Sequence, residues 1–180
     1  TIGVGPGIGQ QPETINALAK VLTQFEKPMV LDADALNILA SHRELLPVVP
    51  KGSILTPHSK EFERLVGTWT SDFQRLEKQQ ELAAKLKCVV LVKGAYTAIA
   101  SPEGNIYFNS TGNPGMATGG SGDVLTGILT GLLAQGYSSM DAARLGVFLH
   151  GKAGDAAARA KGMTALIASD IIDELRLEKI

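Results

Sequence analysis

The sequence predicts a single α/β domain built on a mostly parallel sheet, and three observations support that prediction. Short apolar segments alternate with longer segments of helical periodicity, which is typical of parallel strands joined by helices. A composition of 44% hydrophobic and 19% charged residues is typical of a globular protein. The 180 residues suffice for one sizeable core, and no linker or repeat divides them. We therefore predict one domain over residues 1–180.

In the first part of the chain, short apolar segments end in glycine or polar residues, and amphipathic segments follow them. This order predicts successive strand–helix units. We expect strands over 2–4, 28–31 and 53–55, and helices over 12–25, 34–40, 59–66 and 71–86, with Asp32 or Asp34 as the N-cap of the second helix.

The second part of the chain begins with consecutive strand patterns and ends with helices. Strands are expected over 89–92, 97–100 and 106–108, with a hairpin turn over 102–105. Helices are expected over 123–134, 138–160 and 168–175. Cys88 opens an apolar segment and is predicted to be a buried thiol of a strand rather than a nucleophile.

The composition excludes several classes of partner and compartment. The net charge of −1 gives no electrostatic reason to expect nucleic acid or an anionic membrane surface as a partner. No apolar segment approaches the roughly 20 residues of a membrane span. A single cysteine excludes a disulfide framework, which favours the cytoplasm. Because Thr1 opens the chain inside an apparent strand, we expect a longer polypeptide upstream.

The most informative segment is the glycine-rich stretch 113–125, which reads NPGMATGGSGDVL. Glycine permits close approach of the backbone to a ligand, and a helix N-terminus offers unpaired N–H groups and a positive dipole end. Together these features predict an anion site of the kind that phosphates use. The segment lacks the Gly-Lys-Ser/Thr ending of a Walker loop. Plain packing of a glycine-rich turn remains the alternative.

Asp123 is the one acid in this stretch, at the start of the apolar helix. We interpret it as a general base that takes a proton from a substrate hydroxyl during phosphoryl transfer, a reaction that needs positioning and charge neutralisation more than covalent chemistry. The alternative is a helix-start acid that the helix dipole favours.

Other polar residues follow the predicted strands, where ligands bind in open parallel sheets. His58 and Glu61 lie at i and i+3, so that His58 is a candidate for substrate binding and Glu61 for Mg²⁺; their alternatives are a helix-start histidine and a first-turn acid. Lys93 ends an apolar strand and is predicted to face a nucleotide, because a buried lysine without a partner is costly. Helix capping explains only one of the three polar residues Asp32, Asp34 and Asn37.

The remaining histidines carry no predicted chemistry. His42 lies in a polar connector and is expected to be solvated. His150 lies on an apolar helix face and is expected to be a satisfied core histidine. The glycines at 146, 151 and 154 of the same helix predict close packing against a neighbour, without a catalytic role.

The chain resembles the NAD(P)H-hydrate dehydratase family, a branch of the ribokinase-like superfamily. Five motifs occur in the order of that family: GPGIG at 5–9, LDADALN at 31–37, TPHSKEFERL at 56–65, KGAYT at 93–97 and NPGMATGGSGDVLTGIL at 113–129. The resemblance implies a three-layer α/β/α ribokinase-like fold. It also implies ADP- or ATP-dependent dehydration of the S form of hydrated NADH or NADPH, in which the hydroxyl is phosphorylated and phosphate leaves.

The resemblance also implies roles for individual residues. It implies Asp123 as the catalytic base and Mg²⁺ at Glu61, where His58 replaces the asparagine of many ribokinase-like kinases. The substrate contacts implied are Gly7, His58 and Asp123, to which we add Asp34 and Asn37 as candidates. Residues expected to bind the adenine nucleotide are Lys93, Gly94, Ala95, Tyr96, Thr97, Asn113, Gly119, Gly120 and Gly122.

Family members are often homo-oligomers, frequently tetramers, and often carry an epimerase domain upstream. The family domain normally begins before the point that corresponds to Thr1, so we expect an exposed sheet edge there. Two other functions stay open: a small-molecule kinase of the same superfamily acting on a vitamin precursor or sugar alcohol, and a non-catalytic nucleotide-binding module.

Overall fold

A computed structural model describes residues 1–176 of the chain, and its centre is one six-stranded sheet. The strands lie in sequence order, from β1 at one edge to β6 at the other. The first four run parallel, and the last two form an antiparallel hairpin on β4. The strands are β1 Gly3–Val4, β2 Val30–Leu31, β3 Ile54–Leu55, β4 Val89–Val92, β5 Ala98–Ala100 and β6 Ile106–Phe108.

Within residues 1–176, seven α-helices surround the sheet, together with three short 3₁₀ helices over Arg43–Val48, Pro114–Met116 and Met163–Ala165. The α-helices are α1 Pro12–Gln24, α2 Ala33–Ser41, α3 Ser59–Val66, α4 Asp72–Leu86, α5 Ser121–Ala134, α6 Ser139–Lys161 and α7 Ala168–Asp173. Among residues 1–176, no helix is long and apolar enough to cross a membrane.

The helices form two layers because of how the strands are connected. Each of the strands β2 to β4 lies on the same side of the strand before it. Right-handed crossover connections in that order place α1 to α4 on one face of the sheet. After the β5–β6 hairpin, α5 and α6 pack on the opposite face. Alternate strand residues point to opposite faces, so that Leu31 and Leu55 enter the core with α1 to α4, whereas Val30 and Ile54 enter the core with α5 and α6. The predicted three-layer α/β/α fold is confirmed.

Most predicted elements are present with bounds within one or two residues. The sequence predicts Ser71 and Ser138 as the first residues of their helices. Both are instead N-caps, and their hydroxyls accept from the backbone N–H groups of Gln74 and Asp141 respectively. Helix α5 begins two residues earlier than predicted, at Ser121. Helix α7 ends at Asp173 rather than 175.

The polar connector after α2 is more ordered than the sequence predicts. It forms the 3₁₀ helix Arg43–Val48, which buries Leu46 in the core. His42, expected to be solvated, is half-buried as the C-cap of α2, and its Nδ1 lies 3.3 Å from the Ser41 hydroxyl.

Cys88 is fully buried immediately before β4, in agreement with the prediction of an inert thiol. Burial raises the pKa of this thiol to about 11 despite backbone hydrogen bonds that act in the opposite direction. The expected open sheet edge lies at β1, which pairs only with β2 among the described residues.

Candidate active site

The carboxyl ends of the four parallel strands meet at one edge, as predicted. The loop after β1 is tied to α2 by the Gly9 backbone N–H, which donates to Asp34 Oδ2 at 3.0 Å. The loops after β3 and β4 are joined by a parallel bridge between His58 and Lys93. Lys93 Nζ in turn reaches Asp32, the residue that follows β2. The polar residues after the four strands therefore surround one site.

Backbone lines the site beside β1. Gly5 adopts φ +140°, and a Cβ there would lie 1.7 Å from the carbonyl oxygen of Asp32, so a side chain has no room. Gly7 also has a positive φ, but nothing lies within 4 Å of a Cβ built on it. Gly7 is exposed and open to a ligand, which is compatible with its predicted contact to substrate.

A buried ion pair lies beneath the first turn of α5. Lys93 Nζ is 2.7 Å from Asp32 Oδ1, and the Thr126 hydroxyl donates to Asp32 Oδ2 at 3.0 Å. A Cβ on Gly122 would lie 3.4 Å from Lys93 Nζ. Lys93 therefore has a protein partner as well as the nucleotide that the sequence predicts for it.

The N-terminus of α5 is built to receive an anion. Gly120 is its N-cap in the left-handed conformation, with φ +85°, and no side chain of residues 1–176 caps the helix. The Ser121 N–H donates to the carbonyl oxygen of Thr118 at 3.3 Å, whereas the N–H groups of Gly122 and Asp123 have no acceptor among residues 1–176, as an anion site at a helix N-terminus requires. Gly122 is the second helical residue rather than part of the preceding loop, which corrects the predicted boundary.

Asp123 is the third residue of α5 and is exposed. It lies at one end of a cavity of about 570 Å³ that follows the outer face of α5 and whose walls are largely apolar. The carboxylate is therefore accessible to a bound substrate. The other lining residues are Val124, Gly127, Ile128, Gly131, Leu132, Gln135, Leu149, Ile172 and Leu175.

His58 and Glu61 form a capping box at the start of α3. His58 Nδ1 accepts from the backbone N–H groups of Lys60 and Glu61 at 3.1 and 3.3 Å. Glu61 Oε2 accepts from the backbone N–H of His58 at 2.8 Å, and its Oε1 lies 3.4 Å from His58 Nε2. Since Glu61 is buried and both of its oxygens face His58, these contacts favour the capping alternative over the magnesium ligand.

The histidine is nevertheless placed to meet a ligand, because its side chain is 50% exposed. Its Nδ1 is occupied as an acceptor, which leaves Nε2 as the donor. Within residues 1–176, no group of three or more His, Cys, Asp or Glu side chains has an arrangement that could hold a metal ion. Any Mg²⁺ would therefore rely on the phosphates of a nucleotide for most of its ligands.

The segment after β4 forms a tight turn. The Thr97 hydroxyl donates to the carbonyl oxygen of Gly94 at 3.2 Å, which closes the turn. Gly94 and Ala95 are exposed, and Tyr96 is 70% exposed at the tip of the turn. The turn thus presents backbone and an aromatic ring to any ligand at the edge of the sheet.

The three polar residues at the start of α2 have separate partners. Asp32 binds Lys93, Asp34 binds the loop after β1, and Asn37 Oδ1 accepts from Arg64 at 2.7 Å. They hydrogen-bond to neighbouring elements rather than to one another. Asp32 occupies the N-cap position of α2, but its side chain makes no capping hydrogen bond.

Asp155 and His150 of α6 hydrogen-bond to the glycine-rich segment; the sequence did not single out Asp155, and it predicted His150 only as a satisfied core histidine. Asp155 accepts from Asn113 Nδ2 at 2.9 Å, so this predicted nucleotide residue is held by the protein itself. His150 is buried as predicted, yet its Nε2 lies 2.9 Å from the carbonyl oxygen of Ser121. The glycines that flank these two residues at 151 and 154 were the available signal, because they mark where another segment lies directly on the helix.

The α/β/α fold, with polar residues gathered after the parallel strands, is that of the ribokinase-like class, and the family of the chain follows from comparison with known proteins. The family model described as NAD(P)H-hydrate dehydratase matches residues 1–177. The chain belongs to this family.

Curated relatives agree with that assignment. The chain is 47% identical over 176 residues to the bifunctional NAD(P)H-hydrate repair enzyme Nnr of Moorella thermoacetica, covering 97% of this chain and 33% of the relative. It is 43% identical over 179 residues to the ADP-dependent (S)-NAD(P)H-hydrate dehydratase of Neisseria meningitidis, covering 96% of this chain and 60% of the relative. The chain thus spans about a third of the bifunctional relative and three-fifths of the Neisseria enzyme.

Solved structures support the fold. The ADP/ATP-dependent NAD(P)H-hydrate dehydratase from Bacillus subtilis, co-crystallised with ATP and Mg²⁺ and soaked with CoA, matches with a TM-score of 0.83 and 35% identity, covering 96% of this chain and 63% of that one. A hydroxyethylthiazole kinase from Pyrococcus horikoshii matches with a TM-score of 0.75 at 16% identity, which shows a shared fold alone.

Proposed function

We propose that this chain provides the nucleotide site and the catalytic base of an ADP- or ATP-dependent dehydratase that restores NADH or NADPH from the S form of its hydrate. Support comes from its family and from relatives whose names state this activity. The Bacillus subtilis relative was co-crystallised with ATP and Mg²⁺, which supports the choice of adenine nucleotide and ion.

One structural observation supports the proposal above all others. The N-terminus of α5 follows a left-handed glycine, has no side-chain cap among residues 1–176, and presents the exposed carboxylate of Asp123 in its first turn. An uncapped helix N-terminus stabilises phosphate oxygens. A carboxylate beside it repels phosphate, so its position suits proton transfer rather than phosphate binding.

In the proposed reaction, Asp123 accepts the proton of the hydrate hydroxyl while the terminal phosphoryl group of the nucleotide moves to that oxygen. Phosphate then leaves with this oxygen, and loss of a proton from the neighbouring carbon forms the double bond of the reduced nicotinamide. Mg²⁺ would neutralise phosphate charge during transfer. The α5 N–H groups hold the phosphates in place and so orient the reacting oxygen.

The neighbouring residues have proposed binding roles. Gly7 offers an open, exposed backbone to the substrate, and the half-exposed side chain of His58, bridged through its backbone to Lys93, is assigned a substrate contact at the same edge of the sheet. Tyr96 offers an exposed aromatic surface beside the nucleotide. The remaining nucleotide contacts are assigned to the 93–97 turn and to Asn113, Gly119, Gly120 and Gly122, and further substrate contacts to Asp34 and Asn37.

The cellular setting belongs to the same proposal. We place the protein in the cytoplasm because its one cysteine is a buried free thiol. We propose a homo-oligomer, with a tetramer as the expected form, and an epimerase domain in the same polypeptide. The bifunctional relatives, of which this chain covers about a third, support a further domain.

Ligand-dependent thermal melting tests the nucleotide site. ADP or ATP with Mg²⁺ at 100 times its dissociation constant adds about 2.7 kcal/mol to the free energy of unfolding. We expect a matching rise in the melting temperature, and no rise with adenosine. Absence of a shift in a folded sample contradicts nucleotide binding by this chain. A phosphorylated small molecule as the end product, without dehydration, would favour the kinase alternative.

A further inference from the structure

The glycine-rich segment is held by hydrogen bonds to about two turns of α6. We call residues 111–121 the loop segment and residues 148–155 of α6 its support. Asp155 accepts from the backbone N–H of Gly112 at 3.0 Å and from Asn113 Nδ2 at 2.9 Å. Asn113 Oδ1 in turn accepts from the Gly115 backbone N–H at 3.1 Å. Asp155 thus fixes the start of the loop segment.

His150 fixes the end of the loop segment. Its Nε2 lies 2.9 Å from the carbonyl oxygen of Ser121 and 3.3 Å from the Ser121 hydroxyl. Burial lowers the pKa of His150, the hydrogen bond to Ser121 opposes that effect, and the nearby charge of Lys93 lowers the pKa further. The ring is therefore neutral at pH 7 and donates through Nε2 to the first residue of α5.

Two glycines of α6 bring the loop segment into direct contact with the helix backbone. A Cβ on Gly151 would lie 2.1 Å from Thr111 Oγ1, and a Cβ on Gly154 would lie 2.2 Å from Met116 Sδ. The Thr111 hydroxyl also donates to the carbonyl oxygen of Phe148 at 3.1 Å. The loop segment is therefore held against α6 at both of its ends and, between them, at Met116.

We propose that His150 and Asp155 are positioning residues for nucleotide binding: they hold the loop segment so that the first-turn N–H groups of α5 are aligned before the phosphates arrive. Neither residue touches the phosphates in this proposal. Alignment in advance removes an ordering cost from binding, which strengthens affinity without any added contact. That the ligand is an adenine nucleotide rests on the proposed function, whereas the alignment of the loop segment by His150 and Asp155 does not.

The test measures loop geometry and ADP affinity in the same variants of the chain. We compare His150→Leu, His150→Gln and Asp155→Ala with Lys152→Ala, an exposed residue of the same helix turn, as the control. Loop geometry is read from the amide NMR signals of Gly119, Gly120 and Gly122 without nucleotide. Affinity for ADP with Mg²⁺ is measured by calorimetry.

We expect displaced amide signals and roughly tenfold weaker ADP binding in His150→Leu and Asp155→Ala, since the first loses the hydrogen bond to Ser121 and the second loses those to Gly112 and Asn113. His150→Gln retains a donor and should recover most of the affinity, and Lys152→Ala should match the wild type. Unmoved amide signals and unchanged affinity in the folded variants overturn the proposal.

A wild-type measurement covers the case in which a variant does not fold. The ring ¹⁵N shifts of His150 should report a neutral ring protonated at Nε2 at pH 7, and a ring protonated at Nδ1 overturns the proposal. If the folded wild type does not bind ADP, nucleotide binding by this chain fails, while the amide signals and the ring shifts still decide whether the two residues position the loop.

Discussion

Lys93 Nζ lies 2.7 Å from Asp32 Oδ1, and this pair joins the ends of β4 and β2 directly beneath the first turn of α5. The Asp32 side chain is only 2% exposed, whereas that of Lys93 is 22% exposed. The carboxylate is therefore buried and depends on Lys93 and Thr126 to offset its loss of hydration. The pair both supports the fold and sets the position of the turn over residues 93–97.

Replacing Lys93 by Met should destabilise the protein by about 3 kcal/mol, because a buried carboxylate loses its counter-charge. The free energy of unfolding from urea denaturation measures the effect. The exposed Lys51→Met serves as the control and should change it by less than about 0.5 kcal/mol. The double variant with Asp32→Asn should recover part of the loss, and strictly additive losses would contradict the pairing.

Gly120→Ala should lower the free energy of unfolding by about 1–2 kcal/mol, because its φ of +85° is unfavourable for a residue with a Cβ. The new methyl would also lie 3.1 Å from Ala168 Cβ. Gly119→Ala is the matched control, since nothing lies within 4 Å of a Cβ there. Denaturation curves measure both, and equal effects would contradict the assigned left-handed cap.

His150 should make stability depend on pH. Since its pKa is lowered in the folded protein, the unfolded chain binds a proton first as the pH falls below about 6.5. Its contribution to stability is therefore complete above pH 6.5 and declines below it, until the folded state also takes up the proton. His150→Gln should flatten the unfolding free energy between pH 6.5 and 5, and an unchanged slope would contradict the assignment.

Glu61→Gln separates the two interpretations of Glu61. If the capping box is its main role, the variant should lose at most about 1 kcal/mol of stability and keep the Mg²⁺ dependence of ADP binding. Titration of ADP at several Mg²⁺ concentrations measures this. Glu63→Gln, on the same helix, is the control. Loss of the Mg²⁺ dependence in Glu61→Gln alone would restore the magnesium interpretation.

Much of the fold follows from local patterns in the sequence. Short apolar segments such as 28–31 predicted the strands, and helical periodicity located most helices. The predicted helix N-termini are wrong by one or two residues where the composition at the boundary suits both the helix and the segment before it. Ser71 and Ser138 belong to their helices by pattern but act as caps, and Gly122 reads as loop although it is already helical.

The site was predictable only in part, because its interactions join residues distant in sequence. Glycines and acids after strands identified the correct edge of the sheet. The pairing of Lys93 with Asp32 spans 61 residues, and that of His150 with Ser121 spans 29. Local patterns carry no information about such contacts. His150 is the satisfied core histidine that the sequence predicts, but only the packing of α6 against α5 identifies Ser121 as its partner.

The most direct test uses hydrated NADH and Asp123→Asn. The protein at its natural length, given the S hydrate, ADP or ATP and Mg²⁺, should restore the reduced-nicotinamide absorbance band. Asp123→Asn should bind nucleotide as the wild type does but lose turnover by about 100-fold or more, the usual contribution of a general base. If the wild type does not restore the band, the dehydratase proposal is contradicted. If Asp123→Asn retains full turnover, Asp123 is a helix-start acid and not the base.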